Sequence, residues 1–353
     1  MLAAMTETVK VVIAGPLQAE LVEPIRAVDS RLEVAYEPEL LPPPRYPNDH
    51  AGAADFRRTP EEERRWWEMI GAAEVLFGIP GDSPDGLAEA LRVAPGLRWV
   101  QATSAGAGEQ VGGASLTREA LERVIVTSAA GVHAGPLAEF ALFGLLAFTK
   151  GLPRLLADQR ARRWGHYPVR ELSGATLLIV GLGQIGTEVA RRAAAFGMRV
   201  VGLNRRGAGD YPQVDVLARI DALAQWLPEA DAIVLSLPLT EQTTGLIDAA
   251  AIDAVKPGAV LVNVGRGGVL DEAALIDALR EERLAGAALD VVANEPLDPG
   301  SPLWELPNLL LSPHTAGLSV HENERIVSLF ADNLGRYLRG EELRNRVDPE
   351  LLY

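Results

Sequence analysis

The chain alternates short apolar runs with segments whose apolar residues recur at helical spacing. In the first part, the pattern predicts buried strands at 9–15, 74–80, 97–106 and 123–131, with amphipathic segments such as 85–95 between them. The second half adds six further strand-like runs in series, most of them separated by helices. Such alternation is typical of parallel sheets covered by helices on both faces. The pattern therefore predicts an α/β fold, and 353 residues allow about two domains.

Three segments depart from the simple alternation. The insert at 40–70 contains a proline cluster, after which a helix is predicted with Thr59 as N-cap and Pro60 at its first position. This insert is either a surface excursion or a lid over a site, and general loop behaviour favours the excursion. The stretch 136–151 is apolar but too short for a membrane span, so a buried helix is expected. A final helix is predicted over 319–340.

Composition narrows the class of protein. The chain is 48% hydrophobic and 23% charged, as in ordinary globular proteins. A net charge of -15 and a pI near 4.9 argue against a nucleic-acid-binding surface, which needs a basic face. The absence of cysteine removes disulfides, thiolate metal sites and a cysteine nucleophile. The N-terminus has no signal-like pattern. We therefore expect a cytoplasmic protein that binds neither nucleic acid nor membranes.

A glycine-rich turn follows the first strand-like run of the second half. Gly181, Gly183 and Gly186 have the spacing G-x-G-x-x-G, with an apolar run before them and an alanine-rich helix after them. Gly181 permits the tight turn, Gly183 lets the backbone approach a pyrophosphate, and Gly186 allows close packing of helix on strand. The N–H groups around Gln184 and Ile185 open the helix, whose positive end favours an anion. The turn therefore predicts a dinucleotide site.

The next strand-like run ends at Asn204, where an acidic residue would normally hold both ribose hydroxyls. A carboxylate there would repel a 2′-phosphate, and Asn204 removes that repulsion. Arg205 and Arg206 follow and supply charge-assisted donors. The alternative is a pair of solvated surface arginines. We interpret the segment as a site for the extra phosphate of NADP.

Three later runs end in residues that suit hydride transfer to a ketone. Arg266, Asp290 and His314 each follow an apolar run, and ligands of open parallel sheets collect beyond such strand ends. His314 is the candidate acid, Glu295 its carboxylate partner, and Arg266 the donor pair for a substrate carboxylate. Asp290 could accept from the nicotinamide amide. The alternatives are an ion pair for Arg266, a turn cap for Asp290 and a structural histidine at 314.

The other histidines resemble loop or helix-surface residues, and their spacing matches no metal site. They are His50, His133, His166 and His321.

With these residues the chain resembles the D-isomer-specific 2-hydroxyacid dehydrogenases. The resemblance rests on the glycine-rich turn and on the motifs at 237–247, 262–275, 288–296 and 302–317. It implies two doubly wound domains. One is a Rossmann nucleotide domain at 132–316, and the other is a discontinuous, flavodoxin-like substrate domain at 1–131 and 317–353. It also implies a homodimer joined through the nucleotide domain.

The resemblance carries roles to individual residues. Arg266 matches the substrate-binding arginine, Glu295 and His314 match the acid–base pair, and Asp290 matches the nicotinamide contact. The remaining matches are Pro238 and Thr243 near the adenosine, Val264 and Gly265 beside the nicotinamide, and Ala105 and Gly106 in the loop that holds the substrate carboxylate.

The expected function is reduction of a small 2-ketoacid to the D-2-hydroxyacid, or the reverse. Asn204 favours NADP(H) over NAD(H), as in glyoxylate and hydroxypyruvate reductases. One alternative is a formate dehydrogenase, but that enzyme pairs its histidine with glutamine, whereas Glu295 implies proton transfer. Another is a dinucleotide-sensing binding protein like the corepressors of this fold. Substrate selectivity is expected in the first domain, where Trp66 and Trp67 of the insert are candidates.

Overall fold

The computed structural model describes residues 8–46 and 48–348. Contacts within the chain divide it into two compact units. Unit 1 comprises 1–132 and 318–353, and unit 2 comprises 133–317.

Unit 1 contains a sheet of five parallel strands in the order β2-β1-β3-β4-β5. This is the flavodoxin-like order, in which the chain reverses direction across the sheet between β1 and β3. The strands are β1 (Val9–Ile13), β2 (Leu32–Ala35), β3 (Val75–Phe77), β4 (Trp99–Gln101) and β5 (Ile125–Thr127).

Helices cover both faces of this sheet. They are α1 (Val22–Arg26), α2 (Pro60–Gly71), α3 (Pro84–Val93), α4 (Ala107–Gly113), α5 (Arg118–Arg123) and α12 (Glu322–Arg339). The predicted final helix forms, but it begins at Glu322 and is closed by Gly340 in the left-handed conformation. Its Phe330 packs on Trp99, with ring centroids 4.9 Å apart. The returning end of the chain thus completes the core of unit 1.

The insert is part of the core of unit 1, so its prediction as a surface excursion was wrong for the helix it contains. Thr59 caps α2 and forms a capping box with Glu62, as expected from the sequence. Trp66 is only 1% exposed and packs with Leu40 and Leu41. Since α2 is amphipathic, its apolar face needs a partner, and the sheet supplies one.

Unit 2 contains seven parallel strands in the order β12-β11-β10-β9-β6-β7-β8. The strands are β6 (Thr176–Val180), β7 (Arg199–Asn204), β8 (Val216–Arg219), β9 (Ala232–Leu235), β10 (Ala259–Asn263), β11 (Leu284–Leu289) and β12 (Leu309–Leu311). The chain reverses its direction across the sheet between β6 and β9, which is the ligand-binding point of doubly wound folds. The two all-parallel sheets confirm the predicted fold class.

Two strands were missed by the sequence pattern, and both lie at an edge of their sheet. β2 is the outer strand in unit 1, and β8 is the outer strand in unit 2. In both, the residues are partly or fully exposed, whereas β10 is buried throughout. These two edge strands are partly solvated and their sequences, LEVA and VLAR, contain polar residues, so neither has a continuous apolar run to detect.

The helices of unit 2 are α6 (Ala134–Thr149), α7 (Leu152–Arg160), α8 (Gln184–Ala195), α9 (Leu223–Trp226), α10 (Ala249–Asp253) and α11 (Glu272–Arg280). The predicted buried helix corresponds to α6, which packs closely on the sheet: a Cβ on Gly144 would lie 2.6 Å from Cβ of Ala288.

In the described part of the chain, no helix alone has the length and apolarity for a membrane crossing; only the bent pair α6 and α7 passes such a test.

Candidate active site

Three neighbouring strands of unit 2 bring the candidate residues to one edge of the sheet. Arg266 follows β10, Asp290 follows β11 directly, and His314 follows β12. These strands are adjacent and parallel, so their carboxyl ends share an edge. Arg266, Asp290 and His314 are far apart in the sequence, but the order of the strands places them along the same edge of the sheet.

His314 and Glu295 form a direct pair. The Nδ1 atom of His314 lies 2.7 Å from Oε2 of Glu295, and the side chains are 49% and 37% exposed. The other carboxylate oxygen of Glu295 accepts a hydrogen bond from the N–H of Val292 at 3.2 Å. His314 has a left-handed backbone (φ +56°), which is uncommon for a residue with a side chain. The carboxylate is thus held from two directions and orients the imidazole ring.

Asp290 holds the turn that carries His314. It is 2% exposed, and its Oδ1 accepts from the hydroxyl of Ser312 at 2.7 Å and from the N–H of Ala316 at 2.9 Å. Its carbonyl oxygen accepts from the N–H of His314 at 2.9 Å. The turn-capping alternative for Asp290 therefore describes at least part of what this carboxylate does.

Arg266 lies in a loop that packs against the loop of Glu295. Its Nη1 donates to the carbonyl of Gly265 at 3.0 Å, and its own carbonyl accepts from Nδ2 of Asn263 at 3.1 Å. The next residue is Gly267, where a Cβ would lie only 1.9 Å from the carbonyl oxygen of Val292. This close approach brings the backbone of the arginine loop against the loop that carries Glu295.

The glycine-rich turn lies between β6 and α8. Gly181 has φ +107°, and a Cβ on Gly186 would lie 2.1 Å from the carbonyl oxygen of Gly181. A Cβ on Gly183, by contrast, would meet nothing within 4 Å. Gly183 is the N-cap of α8, which begins with Gln184 and Ile185. Open space beside the N-terminus of a twelve-residue helix fits the pyrophosphate of a dinucleotide.

Asn204 ends β7 and organises the loop that carries the two arginines. Its Oδ1 accepts from the N–H groups of Arg206 at 3.0 Å and Gly207 at 2.6 Å, and its Nδ2 donates to the carbonyl of Ala208 at 3.1 Å. Arg205 and Arg206 are exposed. An aspartate could accept the same two bonds but could not donate the third, so the turn itself favours asparagine.

The remaining candidates of unit 2 lie in two loops of the same sheet edge. Thr243 donates to the carbonyl of Pro238 at 2.7 Å, which closes the loop after β9. Val264 is buried, and a Cβ on Gly265 would lie 2.6 Å from the carbonyl oxygen of Leu237. These residues therefore shape the backbone at the strand ends.

In unit 1, Ala105 and Gly106 lie between β4 and α4. Gly106 is the N-cap of that helix, and Ala105 is exposed. His50 lies in a loop, as expected, but its side chain is only 11% exposed, and its Nε2 lies 3.5 Å from Oε1 of Glu322. The described parts of the chain contain no cluster of three or more metal-ligating side chains.

Asn263 and Ser312 were not singled out in the sequence, although both hold the site loops. Asn263 also accepts from the N–H of Gly265 at 3.0 Å. The available signal was a polar residue at or just after the end of an apolar run, as for Asp290. That signal does not distinguish a loop-holding residue from a catalytic one.

Comparison with known proteins identifies the family. The model of the D-isomer specific 2-hydroxyacid dehydrogenase NAD binding domain matches residues 142–316. A glyoxylate reductase of Korarchaeum cryptofilum is 35% identical over 292 residues, covering 81% of this chain and 86% of that protein. The chain belongs to the D-isomer-specific 2-hydroxyacid dehydrogenase family. This confirms the resemblance.

Two further family members are similar. An (S)-sulfolactate dehydrogenase of Chromohalobacter salexigens is 39% identical over 221 residues, which are 61% of this chain and 70% of that protein. The crystal structure of a D-isomer specific 2-hydroxyacid dehydrogenase from Xanthobacter autotrophicus Py2, in complex with NADPH and MES, has 29% identity and a TM-score of 0.74. That similarity covers 98% of this chain and all of the other. The protein is an NAD(P)-dependent 2-hydroxyacid dehydrogenase.

Proposed function

We propose that this dehydrogenase reduces a small 2-ketoacid to the D-2-hydroxyacid with a preference for NADPH, and that His314 is its general acid. The observation that carries the proposal is the 2.7 Å contact between Nδ1 of His314 and Glu295. Because Nδ1 is occupied by the carboxylate, the other ring nitrogen, Nε2, is assigned to the substrate. In the direction of reduction, Nε2 is the atom that donates the proton.

The proton and the hydride arrive separately. The nicotinamide cofactor supplies a hydride to the carbonyl carbon when bound. The carbonyl oxygen then carries the negative charge, and His314 donates a proton to it. Glu295 keeps the ring oriented during the transfer through its contact with Nδ1. In the oxidative direction His314 accepts the proton of the hydroxyl group.

Arg266 is the proposed ligand of the substrate carboxylate. A guanidinium can bind a carboxylate through two parallel hydrogen bonds and polarise the neighbouring carbonyl at the same time. The N–H groups of Ala105 and Gly106, in the loop between β4 and α4, are also proposed to bind a substrate carboxylate, as the family resemblance implies.

The proposed cofactor site uses the glycine-rich turn for the pyrophosphate and the loop after β7 for the ribose end. Arg205 and Arg206 bind the 2′-phosphate of NADPH in this proposal, and Asn204 presents them through its bonds to the loop. The similar Xanthobacter autotrophicus protein was crystallised with NADPH. The other proposed contacts are Pro238 and Thr243 for the adenosine end, and Val264, Gly265 and Asp290 for the nicotinamide.

The proposed substrates are small 2-ketoacids such as glyoxylate, the substrate named for the Korarchaeum cryptofilum relative. The formate dehydrogenase alternative is disfavoured by Glu295, because oxidation of formate transfers no proton to a histidine. A panel of 2-ketoacids with NADPH and NADH, and formate with NADP and NAD, separates these two enzymatic functions. A dinucleotide-sensing protein would bind cofactor but turn over none of them.

The test of the acid is the His314→Ala variant. Since the ring donates the proton but is not part of the proposed cofactor site, we expect reduction of glyoxylate to fall by at least about 100-fold. Binding of NADPH, measured by quenching of tryptophan fluorescence, should be unchanged. The matched control is His321→Ala, which removes an exposed histidine paired with Glu324 at 3.0 Å. Loss of NADPH binding in His314→Ala would contradict the assignment and indicate a structural role.

A further inference from the structure

Glu272 contacts the loop that carries Glu295. It is the first residue of α11, and its Oε1 accepts a hydrogen bond from the N–H of Ala293 at 2.7 Å. The preceding N–H, that of Val292, donates to Glu295 at 3.2 Å. Two carboxylates therefore hold consecutive N–H groups of the same loop, one from within the loop and one from outside it.

The outside contact comes from a well-anchored helix. Asp271 caps α11 by accepting from the N–H of Ala274 at 3.0 Å, and Leu275 and Leu279 are buried in the core. On another side of the loop, Gly267 lies so close to Val292 that no side chain fits there. The loop at 291–296 is thus held between the arginine loop and the start of α11.

We propose that Glu272 is a positioning residue for the acid–base pair, and that it acts by fixing the loop that carries Glu295. This inference rests on the proposed function of Glu295 and His314. Glu295 is 37% exposed, so little packing restrains its carboxylate. A displacement of about 1 Å would break its hydrogen bond to His314, and misplacements of that size can reduce turnover up to about 100-fold.

The competing reading is that Glu272 only stabilises α11 through its charge near the helix N-terminus. The two hypotheses differ in the effect that they predict for glutamine at position 272. Its amide oxygen can accept from the N–H of Ala293 but carries no charge. Positioning therefore predicts that Glu272→Gln behaves like the wild type, whereas the charge reading predicts that it behaves like Glu272→Ala.

The experiment compares Glu272→Ala, Glu272→Gln and the control Asp277→Ala in the full-length protein. Asp277 is an exposed carboxylate on the same helix. Two quantities are measured: kcat and KM for NADPH with glyoxylate, and the hydrogen-exchange rate of peptides spanning 291–296. In Glu272→Ala we expect kcat to fall about tenfold, with an unchanged KM for NADPH and faster exchange in the loop. Glu272→Gln and Asp277→Ala should resemble the wild type in both measurements.

Two results would overturn the proposal: an unchanged exchange rate and kcat in Glu272→Ala, or equal losses in Glu272→Ala and Glu272→Gln. If Glu272→Ala is poorly folded, Glu272→Met replaces it, because methionine favours helices but offers only a weak acceptor. If the wild type reduces no 2-ketoacid, the proposed function fails. The exchange rates do not depend on turnover, so they still test whether Glu272 holds the loop.

Discussion

At the scale of single residues, the hydrogen bonds decide what each side chain can do. Asp290 and Glu295 are both carboxylates near the same strand ends, yet their surroundings differ. Asp290 is 2% exposed and bonds the turn of His314, whereas Glu295 is partly exposed and bonds the imidazole itself. The first suits a residue that shapes the site, and the second suits a partner in proton transfer.

Asn204 shows the same principle for the cofactor. The sequence indicated only that a repelling carboxylate is absent, whereas the structure shows that Asn204 makes three hydrogen bonds to the loop of the arginines. Asn204 therefore both fixes the loop that carries Arg205 and Arg206 and leaves the end of β7 without a negative charge.

The cofactor proposal predicts the effect of removing both arginines. In the double variant Arg205→Ala/Arg206→Ala, the Kd for NADPH should rise at least about tenfold, because each charge-assisted contact to a phosphate contributes roughly 1.5–3 kcal/mol. The Kd for NADH should change little, since NADH lacks the 2′-phosphate. Both constants are measured by fluorescence titration.

The control for that prediction is Arg336→Ala/Arg339→Ala. It removes two arginines from α12 in unit 1 and changes the net charge by the same amount. Equal weakening of NADPH and NADH in the Arg205/Arg206 variant would contradict phosphate recognition.

At the scale of elements, short segments are held by a few polar contacts. Asp49 lies in the insert and is 3% exposed. It accepts from the side chain of Arg45 at 2.6 Å and from the N–H of Gly52 at 3.1 Å. The bond from the Arg45 side chain, with help from the backbone N–H groups of Arg45 and Gly52, lowers the pKa of the Asp49 carboxyl to about 2. The charged form of Asp49 therefore stabilises the folded insert.

The lowered pKa of Asp49 predicts a pH dependence of stability. The carboxyl has its ordinary pKa of 3.8 in the unfolded chain, so its contribution is fully present above that pH and is lost as the pH falls towards 2. The Asp49→Asn variant should be less stable at pH 6 by roughly 2 kcal/mol. The difference from the wild type should narrow by roughly 1 kcal/mol at pH 3.

Urea unfolding at pH 6 and pH 3 provides the measurement. Asp55→Asn is the control, because Asp55 is an exposed carboxylate of the same insert. If the difference between Asp49→Asn and the wild type is the same at both pH values, the carboxyl does not stabilise the insert through its charge.

At the scale of the whole molecule, unit 2 exposes large apolar side chains on α6, on α7 and in the segment after α7, which we group as one candidate surface for self-association. The surface consists of Phe143, Leu155, Leu156, Trp164 and Val169, of which Trp164 is 94% exposed. It is well formed locally: the guanidinium of Arg154 lies 3.7 Å from the ring centroid of Tyr167, and Lys150 donates to the carbonyl of Arg170 at 2.8 Å. Exposed apolar surfaces of this kind commonly mark protein interfaces.

We infer a homodimer through this surface, which predicts a mass of twice the 37.7 kDa chain in light scattering. The Trp164→Glu variant should shift the population towards monomer, because a buried charge without a partner opposes association. The control is Phe196→Glu, which places the same charge at an exposed aromatic position outside the surface. A monomeric wild type, or equal effects of both variants, would contradict the proposed interface.

The α/β class, the positions of the buried strands, the cap of α2 and the glycine-rich turn followed from local patterns, because buried strands and helix starts have strong local signatures. The exposed edge strands β2 and β8 did not follow from local patterns, since they lack a continuous apolar run. The burial of Trp66 and the contact of His50 with Glu322 also could not be deduced, because they depend on segments distant in the sequence. The roles of Arg266, Glu295 and His314 stay predictions for experiment.

The sequence by itself determined which residue types stand at the ends of apolar runs, because those runs must become buried strands. Only the tertiary structure decided which strand ends are neighbours and which side chains are in hydrogen-bond contact. His314 and Glu295 are 19 residues apart, and Glu272 lies 21 residues before Ala293. Local preference does not specify such contacts, because they depend on the order of the strands in the sheet and on the packing of α11.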